Sequence, residues 1–277
     1  MIKLNVLKYG IAISFIMCFM ACSSGRHFLL NMPAISTTRT TGTEFFKTVA
    51  SWNRVARDSL AVQEILSGNI PGFLQEFVPV YSQIIDSSGS LHRAVLYVLP
   101  DYLSVGTDAD WARIPLTPMA AQKIADRFNC FLPTRKLVDL IYQQATVQLE
   151  PVPMYAFRDS SVTMWQHHLI IEGQRKGRKG LIAGIKKDIV LSSKISRDVK
   201  PDREAIYGWH QLNGKPIQPL YSGHINWWVD YSHGIRLIYR KIKVDGHDMD
   251  YIDILKHPVL KKLLCDEDNC DFYRYPY

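Results

Sequence analysis

The spacing of apolar residues predicts the elements of the first half of the chain. A broad apolar face over residues 44–67 is typical of a helix, and Gly68 ends it. Two β-rich runs, 78–85 and 91–99, flank a turn-forming sequence and predict a hairpin. Three more helices are predicted over residues 117–128, 135–149 and 162–175.

From residue 181 onward, short β-rich runs alternate with polar turns. Strands are predicted over residues 181–185, 188–191, 205–209, 226–231 and 234–244. Because most helical segments precede most strands along the chain, the pattern predicts an α+β fold. We expect a helical and mixed N-terminal half packed on a β-rich C-terminal half, in a single domain over residues 44–277.

The first residues have the pattern of an export signal. Lys3 and Lys8 precede an apolar stretch over residues 11–20, which is too short to cross a bilayer as a helix. The stretch ends at Cys22, which is followed at once by small polar residues. An ordinary secretory signal that happens to end near a cysteine is the alternative interpretation.

The sequence Phe19-Met20-Ala21-Cys22 resembles the lipobox of bacterial lipoproteins, with Phe19 in place of the usual leucine. The resemblance implies a lipoprotein signal peptide over residues 1–21, acyl chains on Cys22 and a Ser/Thr-rich tether over residues 22–43. The protein would then lie outside the cytoplasm in the bacterial cell envelope, with its lipid anchor in a membrane.

The overall composition is that of a globular protein. Of the 277 residues, 47% are hydrophobic and 21% are charged, which excludes disordered and low-complexity classes. The formal net charge of +7 comes with no basic helix or nucleic-acid motif, so we expect no nucleic-acid partner.

The cysteines after the signal give one structural hint. Cys265 and Cys270 bracket four residues and could form a small loop disulfide in an oxidising envelope. Cys130 lies among apolar residues and is predicted to be a buried thiol.

Residues that can perform chemistry concentrate between residues 207 and 239. His210, His224 and His233 are each predicted near the end of a strand, where loops hold functional groups on a rigid base. They could transfer protons, with Asp230 orienting one of them and Ser232 acting as nucleophile or hydrogen-bond donor. The sequence therefore predicts a catalytic group of these five residues.

The same histidines also allow a metal site. His210, His224 and His233 with an open fourth position would match the arrangement that catalytic zinc uses. A cofactor is otherwise unknown from the sequence. The alternative is that each histidine is a hydrogen-bonded structural residue.

Aromatic and polar side chains in this stretch suggest a surface for sugar rings or other flat ligands. The predicted substrate-binding residues are Tyr207, Trp209, Gln218, Trp227, Trp228 and Tyr231, together with Lys187 and Asp188. Packing of these aromatics in the core is the competing interpretation.

Residues 230–237 resemble the Ser-His-Gly-Cys signature of L,D-transpeptidases, but Ile235 stands where that family has its nucleophilic cysteine. Blocks over residues 70–245, among them Asp101–Asp108 and the 207–237 stretch, resemble an uncharacterised group of secreted bacterial proteins, some with peptidoglycan-binding modules. These resemblances imply a role at the cell wall and provide no nucleophile.

Two functions follow as hypotheses. The first is a cell-envelope hydrolase or transferase that acts on peptidoglycan or a related glycan-peptide. The second is a non-catalytic lipoprotein that binds the wall or another glycan polymer through its aromatic side chains.

Overall fold

The computed structural model describes residues 29–31, 33 and 39–277. The helices are α1 (Gly42–Thr48), α2 (Arg54–Leu66), α3 (Pro118–Arg127), α4 (Arg135–Gln144), α5 (Ser161–Arg175), α6 (Ser193–Ser196) and α7 (Tyr251–Lys256). Two 3₁₀ turns span Gly72–Gln75 and Leu260–Leu263. Within these described ranges, no helix has the length and apolar character needed to span a membrane. The predicted signal peptide and Cys22 lie outside the described residues.

The strands are short and form several sheets. They are β1 (Val78–Ile85), β2 (Leu91–Val98), β3 (Ser104–Gly106), β4 (Trp111–Arg113), β5 (Cys130–Phe131), β6 (Val147–Gln148), β7 (Ile182–Ala183), β8 (Lys187–Ile189), β9 (Arg203–His210), β10 (Pro216–Ile225), β11 (His233–Gly234), β12 (Ile238–Tyr239), β13 (Lys241–Val244) and β14 (His247–Asp250). This mixture of helices and sheets confirms the predicted α+β class.

Two sheets organise the molecule. The larger has the order β14-β13-β2-β12-β5, with β1 paired to β2, and so takes strands from both halves of the chain. The smaller has the order β10-β9-β8-β11. The two halves of the sequence are therefore interleaved in the larger sheet, while the smaller sheet is built entirely from the second half.

Elements with strong local signals form where the sequence predicts them. The hairpin of β1 and β2 has the regular register Val78↔Val98 through Ile85↔Leu91. Thr117 caps α3 by accepting a hydrogen bond from Ala120 N, and Pro118 occupies the first helical position. The helix predicted over 162–175 is α5.

Four predicted elements differ from the structure. The single strand predicted over 234–244 is three short strands, β11 in the smaller sheet and β12 and β13 in the larger one. The single helix over 44–67 is two helices, because Asn53 accepts from Ala56 N and starts α2 anew. The helix over 135–149 ends at Gln144, because the next residues pair with β7 instead. The strand predicted over 226–231 is a turn and loop, and β10 lies before it.

Described residues of the predicted tether pack against the rest of the domain. The Arg39 guanidinium donates to the carbonyls of Ile70 and Gly106, and Thr41 caps α1. Gly42 lies against the backbone of Trp111, where a Cβ would clash. Residues 39–43 therefore belong to the folded body rather than to a free linker.

The cysteine predictions agree with the structure. Cys265 and Cys270 form a disulfide. Cys130 is a buried free thiol, and burial raises its pKa. Cys130 is therefore a core residue and not a nucleophile.

A buried polar junction connects the two sheets. The Tyr102 hydroxyl donates to Asp188 Oδ2 on β8 at 2.9 Å. The Arg236 guanidinium lies 4.2 Å from the Tyr102 ring centre and donates to the carbonyls of Leu99 and Ile182. Burial raises the pKa of Asp188 to about 6, against the opposing effects of Arg236 and of the Tyr102 hydrogen bond.

This junction makes stability depend on pH. Because folding raises the pKa of Asp188, its stabilising contribution is complete below about pH 4 and is lost as the pH rises through about 6. The side chain of the Asp188→Asn variant is neutral at every pH. The free energy of unfolding of the variant, relative to that of the wild type, should therefore rise by about 3 kcal/mol between about pH 4 and about pH 7. Urea denaturation at several pH values measures this difference.

The surface variant Asp248→Asn is the control for removal of one carboxylate. A difference between Asp188→Asn and wild type that stays constant across the pH range would show that burial of this carboxyl does not govern the effect.

Candidate functional site

The candidate site begins with a pair of residues on neighbouring strands. Glu204 near the start of β9 lies directly opposite His224 near the end of β10 in the antiparallel register. Register shifts in β10 on both sides of Tyr221 allow this pairing despite the irregular strand. Glu204 is fully buried, whereas the His224 side chain is 28% exposed.

His233 reaches this pair from a different direction. It begins β11, which pairs with β8 in parallel, and its ring is fully buried. Its Nε2 lies 3.0 Å from Glu204 Oε1, and its Nδ1 lies 3.1 Å from Asp230 Oδ1. The His233 ring therefore lies between two carboxylates, one from β9 and one from its own loop.

Asp230 is held by several donors. Its carboxylate accepts from Ser232 N at 2.8 Å, from Ser232 Oγ at 2.5 Å and from Arg158 Nη2 at 2.6 Å. Burial opposes ionisation of Asp230, but the hydrogen bonds from His233 and Ser232 outweigh it and lower its pKa. Burial likewise opposes protonation of His233, yet Glu204 and Asp230 together raise its pKa to about 9.

The loop that carries Asp230 is held by contacts at its next residue, Tyr231. Tyr231 N donates to Arg158 O at 2.9 Å, and the Tyr231 hydroxyl accepts from Met154 N at 2.6 Å. The buried Lys186 ammonium donates to Tyr231 O and lies 3.2 Å from His167 Nδ1. Burial, with repulsion from an arginine, lowers the pKa of Lys186 to about 7. These contacts fix the loop at Tyr231 and so fix the position of His233, which follows two residues later.

Glu204, His224 and His233 can hold a metal ion. One ligand atom from each lies within 4.8 Å of the others, and Glu204 Oε1 is 3.4 Å from His224 Nδ1. Ligand atoms around a tetrahedral zinc, with bonds of about 2.0–2.1 Å, are about 3.3 Å apart. Glu204 Oε2 and His224 Nδ1 are buried and have no hydrogen-bond partner. The donor set and its unsatisfied atoms therefore fit a cation, which would displace the proton from His233 Nε2 on binding.

A cleft of about 360 Å³ opens over His224. It is lined by Arg158, Arg203, Gly223, His224, Ile225 and Trp228. Its two arginines give it positive charge, and the indole of Trp228 gives it an apolar wall. A ligand in this cleft would meet His224 first, with Glu204 and His233 behind it.

The third predicted imidazole lies elsewhere. His210 ends β9, six residues from Glu204, which corresponds to about 20 Å of extended strand. Its Nε2 is 2.9 Å from Asp139 Oδ1, and its ring stacks on Tyr142 at 4.5 Å. The structure thus brings together two of the three predicted histidines and adds Glu204, which the sequence analysis did not select.

The predicted nucleophile and binding residues divide by burial. Ser232 is fully buried, with its hydroxyl committed to Asp230. The predicted binding residues in the interior are Tyr207, Trp209, Tyr231, Lys187 and Asp188. Those that reach the surface are Gln218, Trp227 and Trp228. The second group reaches solvent, and of the first group Tyr207 lines a separate cavity beside His210 and Asp139.

Trp227 is the most exposed aromatic among the predicted binding residues. Its side chain is 41% exposed, and the Arg54 guanidinium lies 3.8 Å from its ring centre. Its neighbour Trp228 is half-buried and lines the cleft.

No protein-family model, curated protein or solved structure matches this chain. The resemblances to L,D-transpeptidases and to secreted wall proteins therefore stay predictions.

The buried contacts between Asp230 and His233, called here the Asp230 clamp, should contribute more to stability than other polar contacts near the site. Asp230→Asn breaks a buried charge pair and leaves the Arg158 and His233 donors without their carboxylate, so we expect a loss of about 3–5 kcal/mol in the free energy of unfolding. Asp139→Asn changes the partly exposed partner of His210 and should cost about 1 kcal/mol or less. Chemical denaturation measures the free energy of unfolding of both variants, and equal losses would contradict a special role of the Asp230 clamp.

Proposed function

We propose that this chain is a zinc-dependent hydrolase or transferase that acts on peptidoglycan or a related glycan-peptide of the cell envelope. The observation that carries the proposal is the cluster of Glu204, His224 and His233, whose unpartnered buried atoms lie beneath an open cleft. Two histidines and one carboxylate form a ligand set of catalytic zinc sites, which keep one position for water or substrate.

The bound metal would supply a Lewis acid and a water of lowered pKa. The remaining work falls to the residues of the chain. Asp230 holds the far nitrogen of the His233 ring, which fixes the direction of Nε2 towards the cluster. Arg158 and Arg203 line the cleft and can bind a carboxylate of the substrate or negative charge that develops on a carbonyl oxygen.

The substrate class is supported by two features. The cleft combines arginines with the face of Trp228, which suits a polymer that carries both sugar rings and carboxylates. The predicted export signal and the resemblance to secreted wall proteins support a polymer of the cell envelope as the substrate.

A specific observation also supports the second hypothesis, a non-catalytic glycan-binding lipoprotein. Trp227 and Tyr221 are 41% and 45% exposed, and both lie near the cleft. Exposed aromatic faces of this kind bind sugar rings without any reaction. The metal content of the protein separates the two functions.

The central test is metal analysis of the purified full chain. We expect about one zinc ion per chain by elemental analysis, and a loss of the metal in His224→Ala and Glu204→Gln. His210→Ala is the matched control, because it removes a histidine outside the cluster and should leave the metal in place. The three variants should release muropeptides from purified sacculi in the same order as they retain zinc.

A metal-free protein that digests sacculi in the presence of a chelator would overturn the zinc assignment. Binding of sacculi without any released or altered product, detected by mass spectrometry, would support the glycan-binding function instead. Occupancy by iron or manganese would retain the ligand set and change the metal.

We also propose that the chain is a lipoprotein attached through Cys22 to a bacterial membrane. Labelling of cells with a palmitate analogue should mark the wild type, and Cys22→Ser should abolish the label. A labelled Cys22→Ser variant would show that Cys22 is not the acceptor.

A further inference from the structure

A second, larger cavity adjoins the cleft. Its volume is about 880 Å³, and it shares Trp228 with the cleft over His224. The starts of two helices line it, with Asn53 and Arg54 at the start of α2 and Ser160 and Ser161 at the start of α5. Two helix N-termini therefore open onto one space beside the candidate metal centre.

Helix N-termini favour anions. Helices α2 and α5 have 13 and 15 residues, and each presents first-turn N–H groups and the positive end of its dipole. The caps satisfy one of these groups in each helix, because Asn53 accepts from Ala56 N and Ser160 accepts from Thr163 N. Other N–H groups of each first turn are left to water or to a ligand.

A buried arginine provides the independent observation. Arg57 lines the same cavity and is only 2% exposed. Its Nη1 donates to Asp159 O at 3.1 Å, and its Nε lies 3.7 Å from Asp58 Oδ1. Its Nη2 is buried and has no hydrogen-bond partner. A guanidinium N–H without an acceptor is costly, so this group points to a ligand oxygen.

Two arginines bring positive charge to the cavity. Arg54 and Arg57 line it with the carboxylate of Asp159, and Asp58, 3.7 Å from Arg57 Nε, offsets part of the charge of Arg57. The dipoles of α2 and α5 add to the positive potential. Asp159 is exposed and is the one lining group that would repel an anion.

We propose that this cavity binds an oxyanion group of the substrate, a carboxylate or a phosphate, through Arg57 and the N-termini of α2 and α5. The proposal rests on the proposed function in one respect, since it makes the cavity the anchor of a substrate whose reacting bond lies at the metal. Trp228 forms a wall of both spaces, so one extended ligand can occupy them together.

The test is calorimetric titration of the full chain with three probes. N-acetyl-D-alanyl-D-alanine carries a peptide carboxylate, its C-terminal amide lacks that charge, and inorganic phosphate is the second oxyanion. We expect binding of at least one of the two anions and none of the amide. Which anion binds identifies the source of the oxyanion.

Variants assign the binding to the cavity. Arg57→Met should weaken anion binding about tenfold or more, since it removes a charged donor. Arg54→Ala, at an exposed position, should weaken binding by a smaller factor, and Asp159→Asn should strengthen it. Arg197→Ala removes an exposed arginine outside the cavity and is the matched control. If Arg57→Met does not fold, Arg57→Lys is the second variant. It keeps the positive charge but lacks the planar set of guanidinium N–H donors, so a loss of affinity is again expected.

The same titrations on metal-stripped wild type and on His224→Ala separate this proposal from the metal assignment. Anion binding that survives in both and still depends on Arg57 supports the cavity even if the zinc assignment fails. No binding of either anion, or binding unchanged in Arg57→Met and Arg57→Lys, would overturn it.

Discussion

The candidate site depends on two carboxylates that the fold buries around one imidazole. Glu204 and Asp230 have no solvent exposure, and both face His233. Buried carboxylates are stable only beside donors or positive charge. Asp230 has Ser232 and Arg158, but Glu204 Oε2 has no donor. Charge compensation is therefore complete on one side of the His233 ring and incomplete on the other, and the incomplete side faces His224 and the cleft.

The fold positions this cluster through two independent supports. Strand pairing sets Glu204 opposite His224, so their proximity needs no side-chain contact to maintain it. His233 depends instead on the loop before β11, which the buried Lys186 holds through the carbonyl of Tyr231. Burial lowers the pKa of Lys186 to about 7, so holding this lysine in its charged form at neutral pH costs free energy of folding. His224, whose side chain is 28% exposed, is consequently the member of the cluster that solvent reaches, whereas Glu204 and His233 are fully buried.

Much of the fold could be predicted from local signals, and so could part of the site, namely His224, His233 and Asp230 but not Glu204. The β1–β2 hairpin and α3 follow from turn and cap residues that act over a few positions. Strand β10 was missed because Pro216 and Pro219 interrupt its pattern, which an edge strand tolerates. Glu204 lies in a buried run with no distinctive spacing, and only strand pairing reveals its partner. His210 and Glu204 share β9 but lie at opposite ends of it, which the sequence shows only once the bounds of the strand are known.

The aromatic residues of the 207–239 stretch have two different structural roles. Trp209 and Tyr231 are buried and build the interior beneath the loop, with the Tyr231 hydroxyl and carbonyl both used as acceptors. Trp227 and Trp228 follow β10 and reach the surface, where Trp228 separates the cleft over His224 from the cavity at Arg57. Since one indole forms a wall of both spaces, a ligand long enough to reach from Arg57 to His224 would have to pass along the face of Trp228.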